Sequence, residues 1–261
     1  MLILYDLMRL ILVALLAPIA FGPMVLVGQW AFGRGGVWGL VGVLPFLGYL
    51  GIFLFLILCG VLSRLLVGRL TPGPAPAGSP TFLRWGFYTL FHGFALGELK
   101  PFLSTFISFQ RLYFGLMGAK LGRRTNIAPY VTILEPCLVE VGDDVTLGTL
   151  SSLATHLGGE GHTLLFGSIR IGSRSVLGGA AEVGPGVTIG EDCLIGARTA
   201  LSPNVRVGSG VKIGPYCMIQ SNCTLGDGCE LDWNSVVEKG THIPAQERWG
   251  GNPARPLARS L

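Results

Sequence analysis

Hydrophobic and polar positions along the chain fall into two regimes. In the first, apolar side chains run almost without interruption. No charged residue occurs in 10–33 or in 35–63; Arg34 separates the two stretches, and Arg9 and Arg64 bracket them. Each stretch reaches the roughly 20 apolar residues that a membrane-spanning helix needs. Pro18, Pro23 and Pro45 are tolerated in such helices when neighbours satisfy the freed carbonyls. The pattern predicts a transmembrane helical hairpin over 1–70, turning near Gly33-Arg34-Gly35-Gly36. A cleaved signal peptide fits less well, because its apolar core is only ~7–15 residues long.

The second regime begins firmly at residue 171, where an aliphatic residue recurs every six positions. The slots are Ile171, Leu177, Val183, Ile189, Ile195, Leu201, Val207, Ile213, Ile219, Leu225, Leu231 and Val237, with no miss. The second slot is often Gly, which is read as serving the turns. The fifth slot is small or β-branched throughout, as at Ser175, Ala181, Cys193, Thr199, Cys217, Cys223 and Cys229. A fixed hexapeptide period is the mark of a parallel β-helix. Three hexads close one triangular coil, so the twelve hexads make four coils, about 19 Å tall at ~4.8 Å per strand layer. The same signature starts earlier at Leu121, Ile127 and Ile133, slips by two, and resumes at Val141 and Leu147.

Between the regimes, residues 71–81 are Pro-rich and predict a stiff linker. Residues 82–120 are dense in aromatics and contain few charges, which suits amphipathic helices lying in a membrane interface or packed on the protein's own core. Lys100-Pro101 divides them.

Composition sharpens this division. Of 261 residues, 50% are hydrophobic and only 13% charged, against about 25% charged in soluble domains. A net charge of +4 without a dense basic run gives no nucleic-acid footprint. The expected partners are a lipid bilayer and small molecules. Six Cys include no CxxC. Four of them occupy the fifth slot, where they read as reduced, passive interior thiols.

The repeat breaks once more after Leu153. The interruption, 154–164, reads ATHLGGEGHTL and holds two of the four His, one Glu and three Gly. Ile171 follows Leu153 by three hexad lengths, one coil's worth, so the register survives. A loop that leaves a rigid scaffold in this way is a candidate functional insertion. The β-helix is thus expected over 121–246, with an exit segment at 247–261.

These hexads resemble those of the left-handed β-helix acyltransferases. The segment Arg248-Trp249-Gly250-Gly251-Asn252-Pro253-Ala254 resembles that family's exit motif. More narrowly, 79–256 is similar to a membrane-attached branch related to the C-terminal domains of ε-poly-lysine synthetase, through Leu83-Arg84-Trp85, Gly118-Ala119-Lys120-Leu121-Gly122-Arg123, Val139-Glu140-Val141-Gly142-Asp143 and Thr155-His156-Leu157. The resemblance implies acyl transfer from acetyl-CoA or another acyl-CoA to a hydroxyl or amine, homotrimers with sites between neighbours, no metal, and a loop His as general base. It points to His156 as base, with His162 as the other candidate, and to Glu160 as the acid that orients the ring. It also implies coenzyme contacts from Trp249, Gly250, Gly251, Asn252, Arg248, Arg255 and Lys239; the cations would meet phosphate, while Trp249 would stack on coenzyme or cap the coils. His92 and His242 are expected to be structural or interfacial.

Two rival readings stand beside this one. A γ-class carbonic anhydrase uses the same β-helix with three His around zinc. A non-enzymatic scaffold would need no His-bearing loop. Because Arg residues flank the hairpin's open end, both termini and the catalytic domain are expected on the cytoplasmic side of a bacterial inner membrane.

Overall fold

The computed structural model describes residues 2–257; both chain termini, on which the orientation expectation bears, lie outside them, as do the last four residues of the exit segment.

Helix α1 spans Leu2–Leu62 as one helical run broken at Gly36, whose φ of 57° and ψ of −146° are not helical. The break turns the chain back on itself. A straight helix would hold residues 21 and 51 about 45 Å apart. Instead, a Cβ placed at Gly51 would collide with the Phe21 ring, and one at Gly39 would sit 2.6 Å from the Ala31 carbonyl oxygen. The run is apolar and long enough to cross a membrane by length and composition, with a window of mean hydropathy 2.6. Much of its outer surface is bare hydrocarbon, Leu10, Leu26, Trp38 and Phe46 among it. It ends in a π-turn at Ser63–Val67, and Gly68 takes a positive φ.

The aromatic-rich segment forms α2 (Pro80–Leu96), α3 (Lys100–Thr105) and α4 (Ile107–Leu116). Ser79 caps α2 by accepting from the Phe82 N–H at 3.2 Å, with Pro80 opening the first turn. One face of these helices is buried on the first coil; the other exposes Leu83, Phe87, Ile107 and Leu112. Packing on the protein's own core, one of the two alternatives expected of this segment, is therefore present on one face.

Residues 120–250 wind a parallel β-helix of seven coils. Its three faces are columns of short strands, running from 120–121 to 242–243, from 126–127 to 248–250, and from 132–133 to 236–237. From 169 onward each strand pairs with the one three hexads later, as with Ile171 on Ile189 and Leu177 on Ile195. Every aliphatic slot after the partly buried Leu121 is buried in one continuous core that extends down to Leu16 and Phe55 of α1.

The structure corrects the role given to the second-slot glycines. They are not the left-handed residues. The left-handed position is the fourth slot, filled by Arg174, Ala180, Asp192, Arg198, Asn204 and their equivalents. The second slot needs Gly because the layers touch there. A Cβ on Gly190 would lie 2.6 Å from the backbone of Gly208, one coil on.

The first coil presents an open edge of carbonyls, which the helices cover. Gln110 and Arg111 donate to the carbonyls of Ile127, Thr125 and Leu121 at 3.5 Å. His92 Nε2 donates to the Ile133 carbonyl at 2.8 Å, while Tyr113 Oη donates to His92 Nδ1 at 2.9 Å. His92 is fully buried, and burial pushes its pKa down to about 4, so it is neutral. It is a structural clip, as expected.

Candidate active site

The two departures from the hexapeptide period fall at the same corner of the prism on adjacent coils. In later coils this corner connects strands with single hexads. In coil one it holds two extra residues, including a 3₁₀ turn at Pro136–Leu138. In coil two Ile171 follows Leu153 by three hexad lengths where one would do, so the insertion is worth two hexads and makes no coil of its own. Pairing of 152–153 with 182–183 continues undisturbed across it.

The insertion is a β-hairpin. His156–Gly158 pairs antiparallel with Thr163–Phe166, and the second strand also pairs with Gly73–Pro76. The Pro-rich stretch is thus not a free linker: four of its residues form the third strand of a small sheet. Pro suits this edge, where its missing donor is no loss.

This sheet sets His156 over the coil-one corner. Its Nδ1 lies 2.9 Å from the carboxylate of Glu135, and its ring is one-fifth exposed. Glu135 is 1% exposed. Its carboxylate also accepts from the Trp85 indole N–H at 2.9 Å and from the Thr155 hydroxyl. Three donors therefore converge on one buried acid, the arrangement that keeps a carboxylate satisfied away from water. The Trp85 and Phe166 rings lie 5.5 and 5.6 Å from the imidazole. With Nδ1–H committed to Glu135, the lone pair of a neutral His156 sits on Nε2, which makes no hydrogen bond among the described residues.

Glu160 and His162 occupy the hairpin's exposed tip, and neither makes a side-chain hydrogen bond among the described residues. The acid expected at Glu160 is corrected by geometry: the carboxylate on the ring is Glu135, 21 positions before His156. The slip of two at residues 134–140 is its signal in the sequence, because a second irregularity at the same corner must face the first.

The exit segment is not brought to His156. It lies at coil seven, five layers away, roughly 24 Å at ~4.8 Å per layer. Arg248 is paired with Asp232 at 2.8 Å and Arg255 with Glu238 at 3.1 Å. Trp249 packs on the end of the core, its indole N–H donating to Glu247 at 2.8 Å, which is the capping arrangement. Gly250 is buried beside it, Gly251 (φ 95°) and Asn252 form the exposed turn, and Lys239 stands exposed. His242 faces outward from its strand. Among the described residues no group of three or more His, Cys, Asp or Glu is placed to hold a metal ion.

Two family models match adjoining stretches of the chain: the hexapeptide repeat of succinyl-transferase over 168–203 and the bacterial transferase hexapeptide, six repeats, over 204–239. A comparison with curated proteins finds no match, so the narrower resemblance to ε-poly-lysine synthetase gains no support there. Among solved structures, the N-acyltransferase AntD from Bacillus cereus, with dTDP-4-amino-4,6-dideoxyglucose and coenzyme A, matches at 17% identity over 58% of this chain and 89% of that one, with a TM-score of 0.48. The perosamine N-acetyltransferase from Caulobacter crescentus, with coenzyme A and GDP-perosamine, gives 18%, 58%, 63% and 0.43 in the same order. A hexapeptide-repeat acetyltransferase from Vibrio cholerae with acetyl coenzyme A gives 19%, 62%, 84% and 0.42. Likenesses this remote say nothing further about the present chain. The matched repeats are the four coils that carry the unbroken hexapeptide period.

Proposed function

We propose that this protein is a membrane-anchored, acyl-CoA-dependent acyltransferase in which His156 is the general base. The observation that carries this reading is the His156–Glu135 pair, built where the repeat departs from its period and walled by aromatic rings. A neutral imidazole with Nδ1–H on a buried carboxylate is equipped to take a proton at Nε2. The acceptor O–H or N–H would give its proton to Nε2 as its oxygen or nitrogen attacks the thioester carbonyl. The C–S bond then breaks, and the proton passes from the imidazolium to the departing thiolate, giving free coenzyme A. Glu135 holds the ring in one tautomer and balances the transient charge.

The bilayer anchor rests on the uncharged stretches of α1 and their exposed apolar side chains, a surface too large for a monomer in water. The catalytic domain would lie in the cytoplasm of a bacterial cell, at the inner membrane, where acyl-CoA is made. A homotrimer would cover Val176 and Leu194 on one prism face and Tyr216, Met218 and Trp233 further along, all exposed in the single chain.

The test is release of free thiol from acetyl-CoA by the purified full-length protein against a panel of sugar and amine acceptors. Acceptor-dependent release that disappears in His156→Ala supports the reading. Release that persists in that variant overturns it. Cross-linking in detergent at active concentrations reads the assembly, and a monodisperse monomer that turns over would exclude the trimer.

A further inference from the structure

A second cleft lies at the junction of the three parts of the molecule, and Cys137 of the coil-one corner lines one side of it without either His156 or Glu135 reaching it. It forms where the π-turn after α1 meets the end of α4 and the first strand of the β-helix. Its volume is about 210 Å³, below the ~300–1,000 Å³ of sites that enclose a whole cofactor. The lining contains Arg64, Arg69 and Lys120 and no carboxylate.

These cations are under-used. The Arg64 side chain is exposed and makes no hydrogen bond or ion pair among the described residues. Arg69 makes a single contact, from Nη2 to the Cys137 carbonyl at 3.4 Å. Lys120 is 3.4 Å from Glu140, a carboxylate it shares with Arg170 at 3.8 Å. The backbone around the cleft is open on one side: a Cβ at Gly68 or Gly115 would meet nothing within 4 Å. Converging cations on an open backbone suit an oxyanion with several acceptor oxygens.

Position selects the kind of anion. Arg64 is the first charge after the uncharged stretch 35–63. Leu65 and Leu66 beside it are 73% and 72% exposed, as only a surrounding hydrocarbon or interface would favour. If α1 crosses the bilayer, as the proposed function holds, this cleft opens at headgroup depth on the side of the β-helix. Basic pockets at that depth bind phosphate-bearing headgroups.

We infer that the cleft between Arg64, Arg69 and Lys120 binds phosphate, and that it takes it as the headgroup of an anionic lipid rather than as a free ion. Such a lipid would fix the β-helix against the membrane surface through the same segment that joins it to α1.

The test compares wild type with the double variant Arg64→Gln/Arg69→Gln, leaving the paired Lys120 alone. Full-length protein is reconstituted in vesicles of four parts phosphatidylcholine to one part phosphatidylglycerol and extracted in mild detergent, and its retained lipid is counted by native mass spectrometry. Wild type is expected to retain several-fold more phosphatidylglycerol than the double variant, with equal phosphatidylcholine, and millimolar inorganic phosphate should leave this preference in place. Equal phosphatidylglycerol retention by the two proteins overturns the site. Loss of the preference in phosphate makes the cleft a free-anion site and overturns the lipid source. Alkaline carbonate washing of the vesicles is read separately: extraction of wild type would sink the membrane-spanning reading, whereas retention with no lipid preference sinks only this inference.

Discussion

Coils one and two differ from coils three to seven in how strictly one corner keeps the hexapeptide period. In the later coils each corner is a hexad with a left-handed residue in its fourth slot, and the corner above the site is closed by Gly186, Asn204, Asn222 and Gly240. In the first two coils that same corner gains two residues and then two hexads' worth, and the additions carry Glu135 and His156. The interior stack is unaffected by the change, since Ile133, Leu153 and Val183 remain buried and in register. A repeat that tolerates insertion at a corner can thus carry a buried acid–imidazole pair without loosening its core. That independence is open to test by substitutions in each region.

The largest effect is expected at the irregular corner. His156→Ala should lower acyl transfer by roughly 10²–10⁴-fold, the usual worth of a general base, with a melting temperature lowered only modestly, because Glu135 keeps the Trp85 and Thr155 donors and the His156 side chain lies outside the stack. Glu135→Gln should lower kcat by about 10²-fold or more, since an amide can hold the ring in the wrong tautomer. His162→Ala and Glu160→Gln, at the exposed hairpin tip, should stay near wild type. Thiol release by the four purified variants checks the ranking. Activity lost at His162 and kept at His156 would move the base to the hairpin tip.

The comparison also marks what the sequence discloses. The period alone places the aliphatic stack, the coil height per hexad and the passive fifth slot, because each of these follows from a local pattern repeated without error. It also locates His156, since the insertion interrupts that pattern. Glu135 is not legible in the same way. It stands 21 positions before its partner and comes close only because one coil and its two extra residues bring the corners into line. Glu160, nearer in sequence, stands on the exposed hairpin tip and does not touch the ring. Trp85 is more remote still: its indole reaches Glu135 only after α2 has folded onto the first coil. The Pro-rich stretch misleads for a related reason, since an edge strand beside an inserted hairpin has no period to announce it. The function of the second-slot Gly is hidden because its cause is contact between successive layers, a full coil apart in the chain, and not the dihedral of its own turn.

A smaller effect is expected where the helices cap coil one. His92→Leu leaves the Ile133 carbonyl and the Tyr113 hydroxyl without their buried partner, at about 1–3 kcal/mol for each orphaned group. It should also change the pH dependence of stability. His92 has a pKa near 4 in the folded protein against 6.5 for the free side chain. The unfolded state therefore binds more protons between these values, and stability falls as pH drops through that window, by roughly 1.4 kcal/mol per unit at most. Above about pH 6.5 the group contributes no slope. Denaturant melts of wild type and His92→Leu at pH 7 and pH 5 should show the variant losing less on acidification. Equal losses would mean that other groups govern the acid limb.

The smallest effect is expected in the regular coils, at the fifth slot. Cys217 donates its S–H to the Asp232 carbonyl of the next coil at 3.0 Å, as Cys193 does to Gly208 and Cys223 to Glu238. Ser175 and Thr199 place hydroxyls on the equivalent carbonyls of Gly190 and Gly214. The slot therefore accepts a small side chain with a donor pointed up the stack, as well as the plain Val187 and Val205 that precede Cys223 in the same column. Burial raises the thiol pKa at all four fifth-slot Cys, to about 12 for Cys229, which keeps them protonated and poor nucleophiles. Cys217→Ser keeps a donor of similar size and should change stability by less than about 1 kcal/mol. Cys217→Ala loses both the donor and some volume, and should cost about 1 kcal/mol more than Ser, the net worth of one ordinary hydrogen bond. Neither should change thiol release from acyl-CoA. The order Ser above Ala in denaturant melts would show that the thiol acts as a layer-to-layer donor. The reverse order would return it to a simple apolar filler, and lost turnover in a folded variant would bring chemistry into the part of the molecule that the comparison assigns to scaffold alone.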